Sequence, residues 1–177
     1  MQKLSNDELG RPAVDDYKSQ QKLPYVIILD QVRSALNVGS VFRTSDAFNV
    51  SRLYLCGITA TPPQKEVLKT ALGATESVEW EHRKSTVDLI NELKGKGYKV
   101  YAIEQVRNSI SLENFDAKKE PFAIVFGHEM DGVSQEVVDI CDGAIEIPQS
   151  GIKHSINISV CAGAVCWEIY RQLKFKK

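Results

Sequence analysis

The sequence has no long hydrophobic run and few of the features that are typical of a secreted or membrane protein. No stretch of its 177 residues approaches the about 20 apolar residues that a membrane span needs. Residues 1–21 are polar and mixed in charge, without the apolar core of a signal peptide. The four cysteines show no CxxC spacing and the three histidines are scattered, which favours buried free thiols over a metal or redox site. These absences predict a cytoplasmic protein with no metal and no membrane partner.

Several common enzyme motifs are also missing. Gly95-Lys96-Gly97 precedes an apolar run and lacks the third glycine of a dinucleotide-binding loop, so we interpret it as a turn. There is no P-loop and no G-x-S-x-G nucleophile elbow. His128-Glu129 has no second histidine at the spacing of a zinc-protease helix. The commonest enzyme classes among α/β chains are thereby excluded.

The length and composition are those of one globular domain. Hydrophobic residues make up 43% and charged residues 25% of the chain, both ordinary values. The net charge of −1 argues against a protein coated in basic charge but leaves room for a local basic face. We predict a polar arm over residues 1–23, with a short helix around Asn6 to Leu9, and a single catalytic domain over residues 24–177.

Short apolar runs alternate with helical patterns after the arm. The predicted strands are Tyr25 to Leu29, Leu53 to Cys56, Val100 to Ile103, Phe122 to Phe126 and Ala144 to Ile147. The predicted helices are Val38 to Phe48, Thr86 to Lys94, a weaker one after Ser134, and Asn157 to Leu173. This alternation predicts an α/β fold, a mainly parallel sheet with helices on both faces.

Three polar loops follow predicted strands, and each concentrates glycine, asparagine, serine or charged residues. They are Asp30 to Arg43, Gly127 to Gly132 and Pro148 to Asn157. In open α/β sheets, ligands bind at the carboxyl ends of the strands. We therefore expect the three loops to form one site.

The first loop contains Asn37-Val38-Gly39-Ser40-Val41-Phe42-Arg43. Asn37 could cap the helix that begins here, and Gly39 would allow a ligand or a second backbone to approach closely. Arg43 falls in the second turn of the same helix. Taken alone, it could equally be a surface or salt-bridging arginine.

The other two loops are each weak signals by themselves. Phe126-Gly127-His128-Glu129-Met130-Asp131-Gly132 predicts a tight loop with exposed backbone donors, but it could be a plain strand-to-helix connection with solvated acids. The segment from Ile147 to Val160 joins the last strand to the last helix. There Ser155 or Asn157 could be just a helix cap.

Together, the order and spacing of N-x-G-x-x-x-R, F-G-x-E-x-x-G and I-P…S-x-N-x-S resemble the SpoU (TrmH) family of 2′-O-ribose RNA methyltransferases. The motifs extend over residues 37–160, and Lys69-Thr70-Ala71-Leu72-Gly73-Ala74 is similar to the family's link after the second strand. The departures are mild. Asn49 stands where glycine is frequent, and asparagine tolerates a positive φ better than most residues.

The resemblance implies a SPOUT-type domain whose C-terminal part forms a trefoil knot, although general topology rules alone favour an unknotted sheet. It implies a homodimer that binds S-adenosyl-L-methionine and RNA. By position, it implies a catalytic and substrate-positioning set of Arg43, Asn37, Glu129, Ser155 and Asn157. Cofactor contacts are expected largely from the backbone near Ile103, Gly127, Ile147, Ser155 and Ile156.

The implied reaction is methyl transfer to a ribose 2′-hydroxyl of structured RNA. No separate RNA-binding module is recognisable, which favours tRNA read by shape across a dimer over ribosomal RNA. Because a guanidinium stays protonated, we expect Arg43 to bind a phosphate beside the target rather than to act as a base. A basic face could add RNA contacts from Arg33, Lys65, Lys69, Arg83, Lys84, Arg107, Lys153 and His154.

Three alternatives remain open from the sequence. They are a non-catalytic RNA-binding protein of the same fold, a base methyltransferase of the same superfamily, and an α/β enzyme with a different nucleotide cofactor. The sequence also leaves open whether Arg43 acts within its own subunit or across the dimer.

Overall fold

The computed structural model describes residues 1–5, 7–118 and 120–175. Seven strands form one sheet: β1 (Leu23–Asp30), β2 (Val50–Cys56), β3 (Trp80–Arg83), β4 (Lys99–Ile103), β5 (Ile110–Ser111), β6 (Phe122–Phe126) and β7 (Gly143–Glu146). Their order across the sheet is β3-β2-β1-β6-β4-β7-β5. The pairings between these described strands are all parallel. The prediction of a mainly parallel α/β sheet is confirmed.

The helices pack on both faces of this sheet. They are α1 (Val14–Ser19), α2 (Ala35–Ala47), α3 (Lys65–Ala71), α4 (Ala74–Ser77), α5 (Thr86–Gly95), α6 (Gln135–Ile140) and α7 (Ile158–Lys174), with a 3₁₀ turn at Leu112–Asn114. One core joins the sheet to α2, α3 and α7, and the other joins it to α5 and α6. The two cores confirm the predicted layering.

Strand β1 shows why the apolar runs predict strands so well. Tyr25, Ile27 and Leu29 enter one core, whereas Val26 and Ile28 enter the other. All five side chains are buried, so a central strand must be apolar at every position. Burying each such side chain contributes about 1.5–3 kcal/mol.

The N-terminal arm differs from its prediction. Asn6 lies outside the described residues, and residues 7–10 form a turn rather than a helix. The helix is α1 instead, where Asp15 and Asp16 occupy the first turn and suit the positive end of its dipole. Tyr17 attaches this arm to the domain, because its hydroxyl donates to the carbonyl oxygen of Asp46 at 2.6 Å. The boundary at residue 23 stays a prediction.

The start of α2 also corrects one expectation. Ser34, not Asn37, caps the helix, and its hydroxyl oxygen accepts from the Asn37 amide at 3.3 Å. The helix therefore begins earlier than predicted, and the Asn37 side chain is left for other partners. The expectation for Gly39 is confirmed, because a Cβ there would lie 2.2 Å from the Val67 carbonyl oxygen of α3. Asn49 has the positive φ expected of it, 54°.

The remaining expectations concern cysteines, metals and membranes. All four cysteines are free, with Cys56 and Cys166 buried and Cys141 and Cys161 partly buried. Within the described ranges, no group of three or more metal-ligating side chains is close enough to hold an ion. No helix in that part of the chain is long and apolar enough to cross a membrane. The trefoil knot stays a prediction from the resemblance.

Candidate functional site

The loops after β1 and β6 meet at the carboxylate of Glu129. Because these strands are parallel neighbours, their carboxyl ends open at the same edge of the sheet. One carboxylate oxygen of Glu129 accepts from the Ser34 amide at 2.9 Å and from the Asn37 side-chain amide at 3.0 Å. The other oxygen accepts from the Arg33 amide at 3.1 Å. Glu129 therefore ties its own loop to the N-terminus of α2.

These contacts keep Glu129 ionised. Burial alone would raise its pKa, but the hydrogen bonds from Asn37 and from backbone amides outweigh burial and hold the pKa below the ordinary 4.5. An ionised carboxylate only accepts hydrogen bonds, so it orients every group that faces it. A role in ordering the loops fits this environment better than a role as a base.

The third loop joins through Asn157, which is the N-cap of α7. Its side-chain NH₂ group donates to the side-chain oxygen of Asn37 at 3.2 Å. Its own side-chain oxygen accepts from the Ser159 amide at 2.9 Å, which is the capping contact. Asn157 is thus a helix cap, as one alternative held, and at the same time a partner of Asn37.

The direction of this chain of hydrogen bonds is fixed at both ends. Glu129 can only accept, so Asn37 must turn its NH₂ group toward it and its oxygen toward Asn157. The Ser159 amide can only donate, so Asn157 must turn its oxygen toward α7. The predicted convergence of the three loops is confirmed by these contacts.

A cleft of about 680 Å³ opens beside this meeting point, at the ends of β4, β6 and β7. The residues implied as cofactor contacts all line it, namely Ile103, Gly127, Ile147, Ser155 and Ile156. Glu129 and Asn157 line it too. Its walls combine apolar side chains with carboxylates, including those of Glu104 and Glu146.

The loop of residues 127–133 is a tightly closed turn. His128 and Gly132 exchange two backbone hydrogen bonds of 2.9 Å. A Cβ at Gly127 would lie 2.1 Å from the carbonyl carbon of Gly132, so only glycine fits without moving the backbone. The sharp turn points Glu129 toward α2 while its backbone forms part of the cleft wall.

Of the predicted catalytic residues, Glu129, Ser155 and Asn157 line this cleft, and Asn37 bonds to two of them, but Arg43 lies apart from it. Arg43 is exposed on α2 and lines a second cavity of about 470 Å³, together with Lys69, Thr70 and Leu72. No hydrogen bond or ion pair joins its guanidinium to the described parts of this chain. Of the other basic residues, Arg83 is already paired with Glu81 at 3.1 Å and with Glu92, so it belongs to a structural ion-pair network.

The sequence did not single out Glu104 and Gln105, which lie on the rim of the cleft. Their one sequence signal is position, because they directly follow β4 at the same edge of the sheet as the three loops.

The sequence profile of the SpoU rRNA Methylase family matches residues 24–167. A Staphylococcus saprophyticus protein assigned to the TrmH family of tRNA/rRNA methyltransferases is 32% identical over 162 residues, which is 92% of this chain. The chain spans 64% of that relative's length.

Two solved structures share the fold over most of the chain. An AdoMet-bound rRNA methyltransferase from Sinorhizobium meliloti is 26% identical with a TM-score of 0.80, covering 89% of this chain and 60% of that one. A protein from a study of 2-OH methylation of C/U34 on tRNA is 26% identical with a TM-score of 0.75, covering 84% and 95%.

Proposed function

The chain belongs to the SpoU rRNA methylase family, and from this premise we propose that it transfers a methyl group from S-adenosyl-L-methionine to a ribose 2′-hydroxyl of structured RNA. One observation carries the proposal. The side chains of Glu129, Asn37 and Asn157 come from three separate loops and join by hydrogen bonds beside a cleft lined by every implied cofactor contact.

The cleft fits this cofactor in size and chemistry. Its volume of about 680 Å³ lies inside the range of ordinary ligand pockets. Ile103, Ile147 and Ile158 offer apolar walls for the adenine ring. The carboxylate of Glu146 suits the positive sulfonium and ammonium groups. The Sinorhizobium meliloti relative was solved with AdoMet bound.

The reaction requires the protein mainly to position the reactants. The bound cofactor supplies a methyl group already activated as a sulfonium. Holding a reactant in attack geometry can contribute about 7–11 kcal/mol of the barrier. Asn37, Glu129 and Asn157 fix the loops around the cleft, and Ser155 offers a hydroxyl on its rim.

Arg43 binds the RNA phosphate beside the target ribose and lowers the cost of the developing alkoxide. Its guanidinium presents a planar fork that matches phosphate oxygens. Because it faces a different cavity from its own chain's cofactor cleft, we place its action across a homodimer. Exposed Val160 (60%) and Trp167 (49%) on α7 offer apolar surface for such a dimer.

We favour tRNA as the substrate over ribosomal RNA. The neighbour from the study of 2-OH methylation of C/U34 on tRNA is covered over 95% of its length, so it is a chain of similar extent. The four unpaired cysteines agree with a reducing, cytoplasmic setting.

The test is incorporation of labelled methyl from S-adenosyl-L-methionine into tRNA and, separately, ribosomal RNA from cells lacking this protein. We expect label in tRNA, recovered as a 2′-O-methylnucleoside and lost with Arg43→Ala. Label on a base would indicate a base methyltransferase instead. Cofactor binding without label in either pool would favour the non-catalytic RNA-binding alternative. Absence of cofactor binding would contradict the proposal as a whole.

A further inference from the structure

Two adjacent side chains at the end of β4 each hold a different loop of the cleft. The Glu104 carboxylate accepts from the Val133 amide at 3.1 Å, at the end of the 127–133 loop. Its other oxygen accepts from the Gln105 amide at 2.8 Å. The Gln105 side-chain NH₂ group donates to the His154 carbonyl oxygen at 2.7 Å, in the loop between β7 and α7.

Glu104 is fitted against the turn that presents Glu129. A Cβ at Gly132 would lie 2.1 Å from a carboxylate oxygen of Glu104, so this carboxylate rests directly on the glycine backbone. Both of its oxygens are used by backbone amides. Glu104 therefore orders the turn that presents Glu129.

Gln105 anchors a loop that has few other contacts. Residues 149–157 are all exposed, yet they carry Ser155 and Ile156 on the cleft wall. Within the described parts of the chain, the bond from Gln105 to His154 is the only hydrogen bond made by residues 148–156. Without it, no hydrogen bond among the described residues would hold the loop between β7 and the N-cap Asn157.

We propose that Glu104 and Gln105 are positioning residues that hold the 127–133 and 148–157 loops in their cofactor-binding shape and thereby set cofactor affinity. The inference rests on the proposed function, since it takes the cleft to be the cofactor site. Its physical basis is preorganisation. A loop that is already ordered loses less conformational freedom when a ligand binds, so less of the interaction free energy is lost.

The test of Gln105 uses two variants, of which only one changes the charge. Gln105→Met and Gln105→Glu both remove the donor to His154, but only Gln105→Glu adds a negative charge near a cationic cofactor. We expect both to weaken S-adenosyl-L-methionine binding by about tenfold in calorimetry, the effect of one lost hydrogen bond. Gln64→Met and Gln64→Glu are the matched controls, because Gln64 is an exposed glutamine outside the cleft.

Limited trypsin digestion gives a readout that needs no cofactor. The exposed Lys153 lies directly before His154, so an untethered loop is cut at this bond and yields fragments 1–153 and 154–177. We expect this cut to be about tenfold faster in Gln105→Met than in the wild type, following the population of the open loop. Mass spectrometry identifies the fragments, and added cofactor should slow the cut in both proteins.

Glu104→Gln tests the second anchor through a split between kinetic constants. One oxygen is replaced by a donor that would face a backbone amide. We expect KM for the cofactor to rise by about tenfold, with kcat near that of the wild type at saturation, because the reacting atoms are untouched. Glu104→Asp keeps the carboxylate and should recover part of the loss. A variant that lowers kcat and leaves KM unchanged contradicts the proposal.

The outcomes separate this inference from the proposed function. If the wild type binds the cofactor and both Gln105 variants bind it as tightly, the inference is overturned and the proposed function stands. If the wild type does not bind the cofactor, the proposed function fails. In that case the digestion still tests the anchoring by Gln105. Equal cleavage rates at Lys153 in Gln105→Met and in the wild type overturn it.

Discussion

The two parts of α2 that face candidate ligands are built in opposite ways. At its start, Asn37 lies between Glu129 and Asn157, with a hydrogen bond to each. Further along, Arg43 is exposed, and a cavity separates it from Lys69 and Leu72. The hydrogen bonds of the first region are made within one chain. The second region presents the Arg43 guanidinium to a ligand in the cavity.

From this difference we propose a separate ligand for each region. A closed network of hydrogen bonds keeps a cleft rigid and specifies one arrangement of its loops. An exposed guanidinium remains hydrated until it binds a phosphate or a carboxylate. We therefore propose that the start of α2 supports the cofactor cleft and that the middle of α2 binds RNA.

Arg43→Ala tests the difference most severely. We expect turnover to fall by about 100-fold or more, because a donor to the developing charge is lost. Affinity for S-adenosyl-L-methionine should change by less than about twofold, because Arg43 does not line the cofactor cleft. Single-turnover methylation and calorimetry measure the two quantities. An equal loss of cofactor affinity would show that the two regions form one site within the chain.

Gly127→Ala tests the tight turn of residues 127–133, which lines the cleft. The new Cβ would collide with the backbone of Gly132, so we expect the free energy of unfolding to fall by about 1–3 kcal/mol. Gly95→Ala is the matched control, because a Cβ there meets nothing within 4 Å. Urea unfolding compares the two variants. Equal stability of both would mean that the 127–133 turn relaxes easily.

Glu129→Gln tests the hydrogen bonds between the loops and predicts a pH dependence. The lowered pKa of Glu129 means that its stabilisation is present above the ordinary 4.5 and is lost as the pH falls through the folded-state value. At neutral pH the variant should lose about 1–2 kcal/mol of unfolding free energy. The difference from the wild type should shrink as the pH falls below 4.5 and through the lowered folded-state pKa. A difference independent of pH would contradict an ionised Glu129.

Lys69→Ala should have the smallest effect and should be confined to RNA. We expect KM for RNA to rise a few-fold and the salt dependence of binding to weaken by about one counterion. Lys18→Ala serves as the control, since Lys18 is exposed on α1 and lines neither cavity. Filter binding at several salt concentrations measures both. An equal loss of affinity for the cofactor would again show that the two regions form one site within the chain.

The sheet was predictable where its strands are buried on both faces. Runs such as Phe122–Phe126 are apolar at every position because both cores need them. Strands β3 and β5 were missed, because β3 has no fully buried position and β5 has only two residues. The motifs identified the site residues through the resemblance, and their spacing alone identified none of them.

The separation of Arg43 from Asn37 follows from helix periodicity, whereas no local sequence pattern predicts the anchoring by Gln105. Residues six positions apart on an α-helix point about 120° away from each other, so Asn37 and Arg43 cannot face the same cleft. The bond from Gln105 to His154 joins residues 49 positions apart, and no spacing rule in either segment indicates it.

The position of β6 between β1 and β4 has a consequence for the order in which the protein assembles during synthesis. Strands β1 to β3 leave the ribosome first, but one side of β1 stays unpaired until residues 122–126 have been made. Until then, a buried strand offers its open edge to other chains. Asn157, made later still, completes the link to Asn37. A ribosome that stalls before β6 would therefore leave a nascent chain prone to aggregation and without a finished cleft.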